Sequence, residues 1–236
     1  MRKKTTIILI IIILVQILIR IYFGYQKQYF HMDEMYSYGL MNYNKLNIAD
    51  NEDFLNKWHN KEYFEDYLEV NDNEIYNIKP VYENQKNDVH PPLYYLLLRI
   101  SATFTINKFT KWTGILLNIT IFIISSIMVY LISKELFKNK IYAVLTTLIN
   151  GLTLISLNSA LYIRMYELCN LNILIITFLH MKIYNKNKTN KYIFDFYIYD
   201  FGRANTLLLF YLRICIIFNI YSKMHKAKEL QKPDDI

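Results

Sequence analysis

Apolar residues in this chain fall into long runs separated by polar stretches, rather than into the alternation of half-buried strands. Thr5 to Ile21 (TTIILIIIILVQILIRI) is almost wholly isoleucine and leucine, follows Arg2-Lys3-Lys4, and is followed by Tyr22 and Phe23, aromatic residues suited to a membrane interface. Further runs cover Trp112 to Ser133, Ile141 to Leu161 and Tyr166 to Tyr184. A fifth, Tyr192 to about Tyr221, is broken by Asp195, Asp200, Arg203 and Arg213, charges that cost about 2.5–3.5 kcal/mol each at the centre of a membrane helix. The bulky RIYFGYQKQYF after the first run offers no small-residue cleavage site, so that run is expected to stay as a span. The pattern predicts an all-α, polytopic membrane helical bundle. Residues 1–24 form the first transmembrane helix, 25–110 a long loop, 111–191 three further transmembrane helices, and 192–236 an atypical C-terminal segment.

Inside the loop, DVHPPLYYLLLRI (88–100) opens an apolar stretch of about 15 residues ending near Phe104. At 1.5 Å per residue it reaches about 22 Å, short of a roughly 30 Å hydrocarbon core, and it contains Arg99. It is expected to be an interfacial helix with Pro91 and Pro92 at its start, where a missing N–H costs nothing. NEDFLNKWHNKEYFEDYLEV (51–70) places Phe54, Leu55 and Trp58, then Phe64, Tyr67 and Leu68, at helical spacing, which predicts amphipathic helices lying apolar face down on the membrane.

Charge orients these elements. Arg2 to Lys4, Lys134 to Lys140 and Lys186 to Lys191 are the basic clusters, and the positive-inside rule assigns all three to the cytoplasm. The loop is then extracytoplasmic. From Tyr25 to His90 it carries 13 acidic against 6 basic residues, although the whole chain of 236 residues has a net charge of +7. The basic excess therefore speaks of membrane orientation, and nucleic acid is not an expected partner. Cys169 and Cys215 both lie in apolar runs, which points to neither a disulfide framework nor a zinc motif.

Three short stretches on the predicted outer side carry candidate chemistry. HMDEMYSYGL (31–40) sets His31, Asp33 and Glu34 beside the membrane, where carboxylates are costly unless paired or functional; a helix N-terminus is the simpler explanation. Asp88-Val89-His90 adds a second carboxylate and imidazole, so His31, Asp33, Asp88 and His90 could hold a divalent ion, or His90 could simply cap its helix. ALYIRMYEL (160–168) places Arg164 between two apolar runs with Tyr162 and Tyr166 beside it, suited to a phosphate by its fork of donors or to snorkelling. A carboxylate base and a cation for a phosphate leaving group are what a transferase using a lipid-phosphate donor requires.

HMDEMYSYGL, DVHPPLYYLLLRI and LYIRMYEL, in that order, resemble the N-terminal half of GT-C superfamily integral-membrane glycosyltransferases, and in particular the protein O-mannosyltransferase and aminoarabinose transferase group. The resemblance spans roughly residues 5–192. It implies transfer of a sugar from a polyprenyl-phosphate donor to an acceptor glycan, lipid or protein on the outer face of the cell membrane. It further implies Asp33 as catalytic base with Glu34 as its acidic neighbour, and His90, Arg164, Tyr94 and Tyr166 around the donor phosphate. No cofactor is implied with certainty, and metal use differs among branches of the superfamily.

Members of that superfamily are much longer, so the chain is expected to be a shortened form, active or not. A reading-frame shift near residue 195 would account for the charges in the last apolar run. The alternative is a non-catalytic membrane protein, a remnant or a regulatory partner.

Overall fold

A computed structural model describes residues 2–42, 57–60, 64–86, 88 and 90–186, and every regular element among them is helical. Phe54, Leu55 and the atypical segment 192–236 lie outside the described residues. The elements are α1 (Arg2–Gln26), α2 (Met32–Asn42), α3 (Glu65–Leu68), a 3-10 turn (Asp72–Glu74), α4 (Lys79–Gln85), α5 (Pro92–Ala102), α6 (Lys111–Phe137), α7 (Lys140–Leu152), α8 (Leu154–Leu161) and α9 (Tyr166–Lys186).

Two of these helices, α1 and α6, are long and apolar enough to cross a membrane. Their surfaces invert the soluble pattern. On α1, Ile7, Ile11, Leu14 and Leu18 are exposed while Gln16 and Arg20 are fully buried. On α6, Leu116, Ile124 and Ile127 face outward while Asn118, Ser125 and Ser126 are buried. The buried face of α6 also holds Ile115, Ile119 and Phe122, so the helices are apolar outside with polar side chains set among apolar ones inside, as expected where the surroundings are hydrocarbon.

The expected third and fourth spans differ from that pair. α7 and α8 meet at Thr153 with a bend of 59°, so the third run counts as a span only if the broken pair is taken as one. Thr153 has extended backbone and caps α8, its hydroxyl accepting from Ser156 N at 3.2 Å. α9 is long enough, but Glu167, Asn170, Asn172, His180 and Lys182 lower its hydropathy, and it does not qualify with α1 and α6.

Residues of the predicted outer loop build a compact helical cluster. α2 packs against α3, α4 and α5, and α5 packs against α6. Pro91 takes the N-cap position of α5 and Pro92 its first turn, which explains the double proline at the helix start. The helix is 11 residues, shorter than the apolar stretch. One of its faces packs on protein, burying Tyr94, Tyr95, Leu98 and Ala102, while Ile100 and the following Phe104 stay exposed. Arg99 is buried as well, donating to the Glu74 carbonyl at 2.7 Å and to the Asn42 side chain. Tyr67 and Leu68 likewise face the core instead of a membrane, whereas Trp58 is fully exposed. A Cβ on Gly39 would fall 2.1 Å from the Tyr67 ring, so α2 and α3 touch only because residue 39 has no side chain.

Candidate functional site

The site begins at the first turn of α2. His31 precedes the helix and its Nδ1 accepts from Asp33 N at 3.2 Å, while Glu34 reaches back to accept from His31 N at 2.8 Å. This reciprocal pattern is a capping box with an imidazole in the hydroxyl's place. The Tyr162 hydroxyl lies 2.9 Å from the same Nδ1.

The two adjacent carboxylates are in opposite environments. Glu34 is 1% exposed and pairs with Lys27 Nζ at 2.6 Å. It also accepts from Ile163 N at 2.8 Å, so both of its oxygens are engaged in holding chain segments together. Asp33 has a side chain 41% exposed, with one oxygen accepting from the Tyr162 hydroxyl at 3.0 Å and lying 3.7 Å from His31 Nδ1. Of the pair, Asp33 is the carboxylate with spare acceptor capacity facing outward.

Residues 162–165 connect α8 to α9 and carry Arg164. The connection is fixed at successive carbonyls and amides. Lys27 donates to the Leu161 carbonyl at 3.1 Å, Asn118 to the Tyr162 carbonyl at 2.9 Å, and Arg164 N to the same Tyr162 carbonyl at 2.7 Å. Gly114 on α6 leaves the space that Ile163 fills, since a Cβ there would meet the isoleucine side chain at 2.2 Å.

Arg164 is 5% exposed, yet among the described residues no carboxylate forms an ion pair with it. Nη1 donates to the Asp33 carbonyl at 3.3 Å and lies 3.5 Å from the Tyr95 hydroxyl; Nη2 is 3.1 Å from His90 Nε2. Nε has no partner. Arginine is donor-only, so His90 Nε2 must accept, and the ring proton sits on Nδ1 facing Asp88 at 2.9 and 3.0 Å. Asp88 thus neutralises the guanidinium only through an intervening imidazole. A buried cation held by neutral acceptors is costly unless an anion joins it.

Aromatic residues form the rim. Tyr166 is 45% exposed and stacks on Tyr162 at 5.9 Å, and His31 lies against the Tyr162 ring. Burial, and then the hydrogen bond to the Asp33 carboxylate, push the Tyr162 hydroxyl up to about 12, so it stays a proton donor at neutral pH. Burial also raises the Tyr95 hydroxyl, with the Arg164 charge opposing it.

The structure brings Asp33, His90, Arg164 and Tyr166 to one place and sets Tyr94 apart. The Tyr94 hydroxyl donates to Asn118 Oδ1 at 3.2 Å inside the helices, so this side chain supports the Tyr162 carbonyl from behind. Its neighbour Tyr95 takes the place beside Arg164. Nor do His31, Asp33, Asp88 and His90 converge on one point: among the described residues no group of three or more His, Cys, Asp or Glu side chains could hold a metal ion. Arg164 occupies the free nitrogen of His90, which removes that lone pair from any ion. Sequence reading missed Tyr95, Lys27 and Asn118. Lys27 is legible only as a charge at the exit of the first run, and Asn118 only as the start of an Asn-Ile-Thr glycosylation pattern discounted for lying inside a span. No family model matches the chain, and no curated protein or solved structure matches it.

Proposed function

We propose that this chain is a multi-pass glycosyltransferase of the cell membrane, of the kind its GT-C resemblance implies. It would move a hexosyl or pentosyl group from a polyprenyl-phosphate donor to an acceptor hydroxyl on the outer face. The observation that carries the reading is the buried Arg164 guanidinium, which donates to the Asp33 backbone carbonyl and has no ion-pair partner among the described residues, while the carboxylate of that same Asp33 is exposed. The distribution of lysine and arginine supports the outer-face assignment, and the apolar exteriors of α1 and α6 support the membrane.

In this scheme the acceptor oxygen attacks the anomeric carbon while Asp33 takes its proton. The bond between that carbon and the phosphate oxygen breaks, and the electron pair leaves with the polyprenyl phosphate. Arg164 stabilises the leaving oxygen, a contribution that oriented cations make in a water-poor site. For this the guanidinium turns from His90 toward the phosphate, with His90 held in one tautomer by Asp88. Tyr162 orients Asp33, and Glu34 keeps the first turn of α2 against the Arg164 connection.

The test is binding of a short-chain polyprenyl phosphate to the purified protein in detergent. Arg164→Gln should weaken it by about 10-fold or more, as loss of a charge-assisted contact implies, while Asp33→Asn should leave it within about threefold. Equal affinity in wild type and Arg164→Gln would remove the basis of the proposal.

A further inference from the structure

A second polar cluster lies on the buried side of the Arg164 connection, between α1, α6 and the broken pair α7 and α8. Arg20 is fully buried in the C-terminal part of the membrane-competent α1. Its guanidinium donates to the Gly151 carbonyl at 3.1 Å, the Ser156 carbonyl at 3.2 Å and the Ser156 hydroxyl at 2.7 Å, and it stacks 3.3 Å from the centre of the Phe122 ring. The bend at Thr153 interrupts the helical ladder, and Arg20 takes up carbonyls on both sides of it. Gln16, one turn earlier, donates to the Thr147 and Leu148 carbonyls at 3.1 and 3.2 Å. Gly151 makes this approach possible, since a Cβ there would collide with the Gln16 amide at 2.4 Å.

From Ser156 the cluster continues toward α9. The Ser159 hydroxyl donates to the carboxylate of Glu167, which is fully buried in the first turn of α9, and lies 3.2 Å from the Ser156 carbonyl. Ser125 of α6 lies against the same carboxylate. The Ser159–Glu167 bond spans the α8–α9 connection, closing a short loop that contains Tyr162, Ile163 and Arg164. Charges placed inside a bundle of apolar exterior are expensive and need a reason beyond packing.

We propose that Arg20, Ser156, Ser159 and Glu167 form a polar lock that sets the position of Arg164, making Arg20 and Glu167 positioning residues for the anion site. The lock fixes the bend at Thr153 at one end and the start of α9 at the other. Only the connection between them is left to present the guanidinium beside Asp33. The functional part of this inference rests on the phosphate reading of Arg164; the positional part does not.

The experiment uses the full chain in lipid nanodiscs. Arg20→Met removes the guanidinium fork, Glu167→Leu the acceptor, and Ser159→Ala only the bridging hydroxyl; the last carries the test where the other two fail to fold. Amide exchange read by mass spectrometry over residues 161–166 should accelerate about tenfold in each variant while α6 amides keep their wild-type rates. Arg20→Met combined with Ser159→Ala should exchange no faster than the faster single variant, because both break one chain. Affinity for inorganic pyrophosphate should fall with the loosening, and Arg20→Lys should recover part of it. Unchanged exchange at 161–166, acceleration spread evenly over all helices, or full affinity in a loosened variant would each overturn the lock. If wild type and Arg164→Gln bind pyrophosphate equally, the phosphate reading fails while the exchange rates still decide the lock.

Discussion

Asp33 and Glu34 are neighbours in sequence with opposite surroundings, and their substitutions should separate cleanly. Glu34→Gln leaves the Lys27 ammonium, 17% exposed, without its counter-charge. Breaking a buried pair from one side costs about 3–5 kcal/mol, so thermal unfolding in detergent should show a large loss of stability. Asp33→Asn should leave the melting transition close to wild type, because its partner Tyr162 can still donate to the amide oxygen. Tyr162 adds a pH signature. Its hydroxyl is raised to about 12 from an ordinary 10, chiefly by burial. A raised acid favours the protonated folded form, so this contribution is intact below pH 10 and is lost as pH rises from about 10 to 12. Tyr162→Phe should flatten the fall in stability over that interval, measured by chemical denaturation at a series of pH values. The resemblance names Asp33 ahead of Glu34, but the residues themselves give no physical ground for that ranking, since a helix start offers each the same dipole. What ranks them is the amide of Ile163, 129 residues away, which Glu34 accepts.

At the scale of elements, local signals were legible where they acted locally. The double proline marks the start of α5, and the long apolar runs mark α1 and α6. Long-range packing was not legible. The direction of the α5 apolar face depends on α2 and α6, and the bend between α7 and α8 occurs at a threonine with no proline or glycine beside it to announce a break other than Gly151. Tyr94 and Tyr95 show the same limit: the resemblance names Tyr94 alone, and only the helix orientation turns Tyr95 toward Arg164 and Tyr94 toward Asn118. Close helix contacts make a sharper prediction. Gly39→Ala must displace the buried Tyr67 ring, an overpacking worth about 1–3 kcal/mol, visible as a lower melting temperature with helical content retained.

For the whole molecule, the inverted surface of α1 and α6 ties the sequence runs to a membrane, while the charge pattern supplies only the proposed direction. Cysteines placed at the exposed positions Tyr29 and Phe137 should report opposite sides: the first labelled by an impermeant maleimide on intact cells, the second only after permeabilisation. Labelling of both from outside would contradict the orientation on which the outer-face chemistry depends. The three motifs that a sequence reader would pick out do converge, with HMDE, DVHPP and YIRMY meeting around Arg164. The supports behind them, Asn118 and the Arg20 to Glu167 chain, come from helices marked in the sequence chiefly by apolar runs, and Lys27 from the residue just past α1.

The central claim is that Asp33 and Arg164 together transfer a sugar. Its most direct test is transfer of radiolabelled sugar from a polyprenyl-phosphate donor by membranes carrying the full chain, against membranes carrying Asp33→Asn at equal protein level. The account predicts transfer by the wild type and a loss of about 100-fold or more in the variant, the scale expected for removing a general base. Transfer that survives Asp33→Asn would contradict the assignment of the base, and its absence from the wild type would contradict the enzyme.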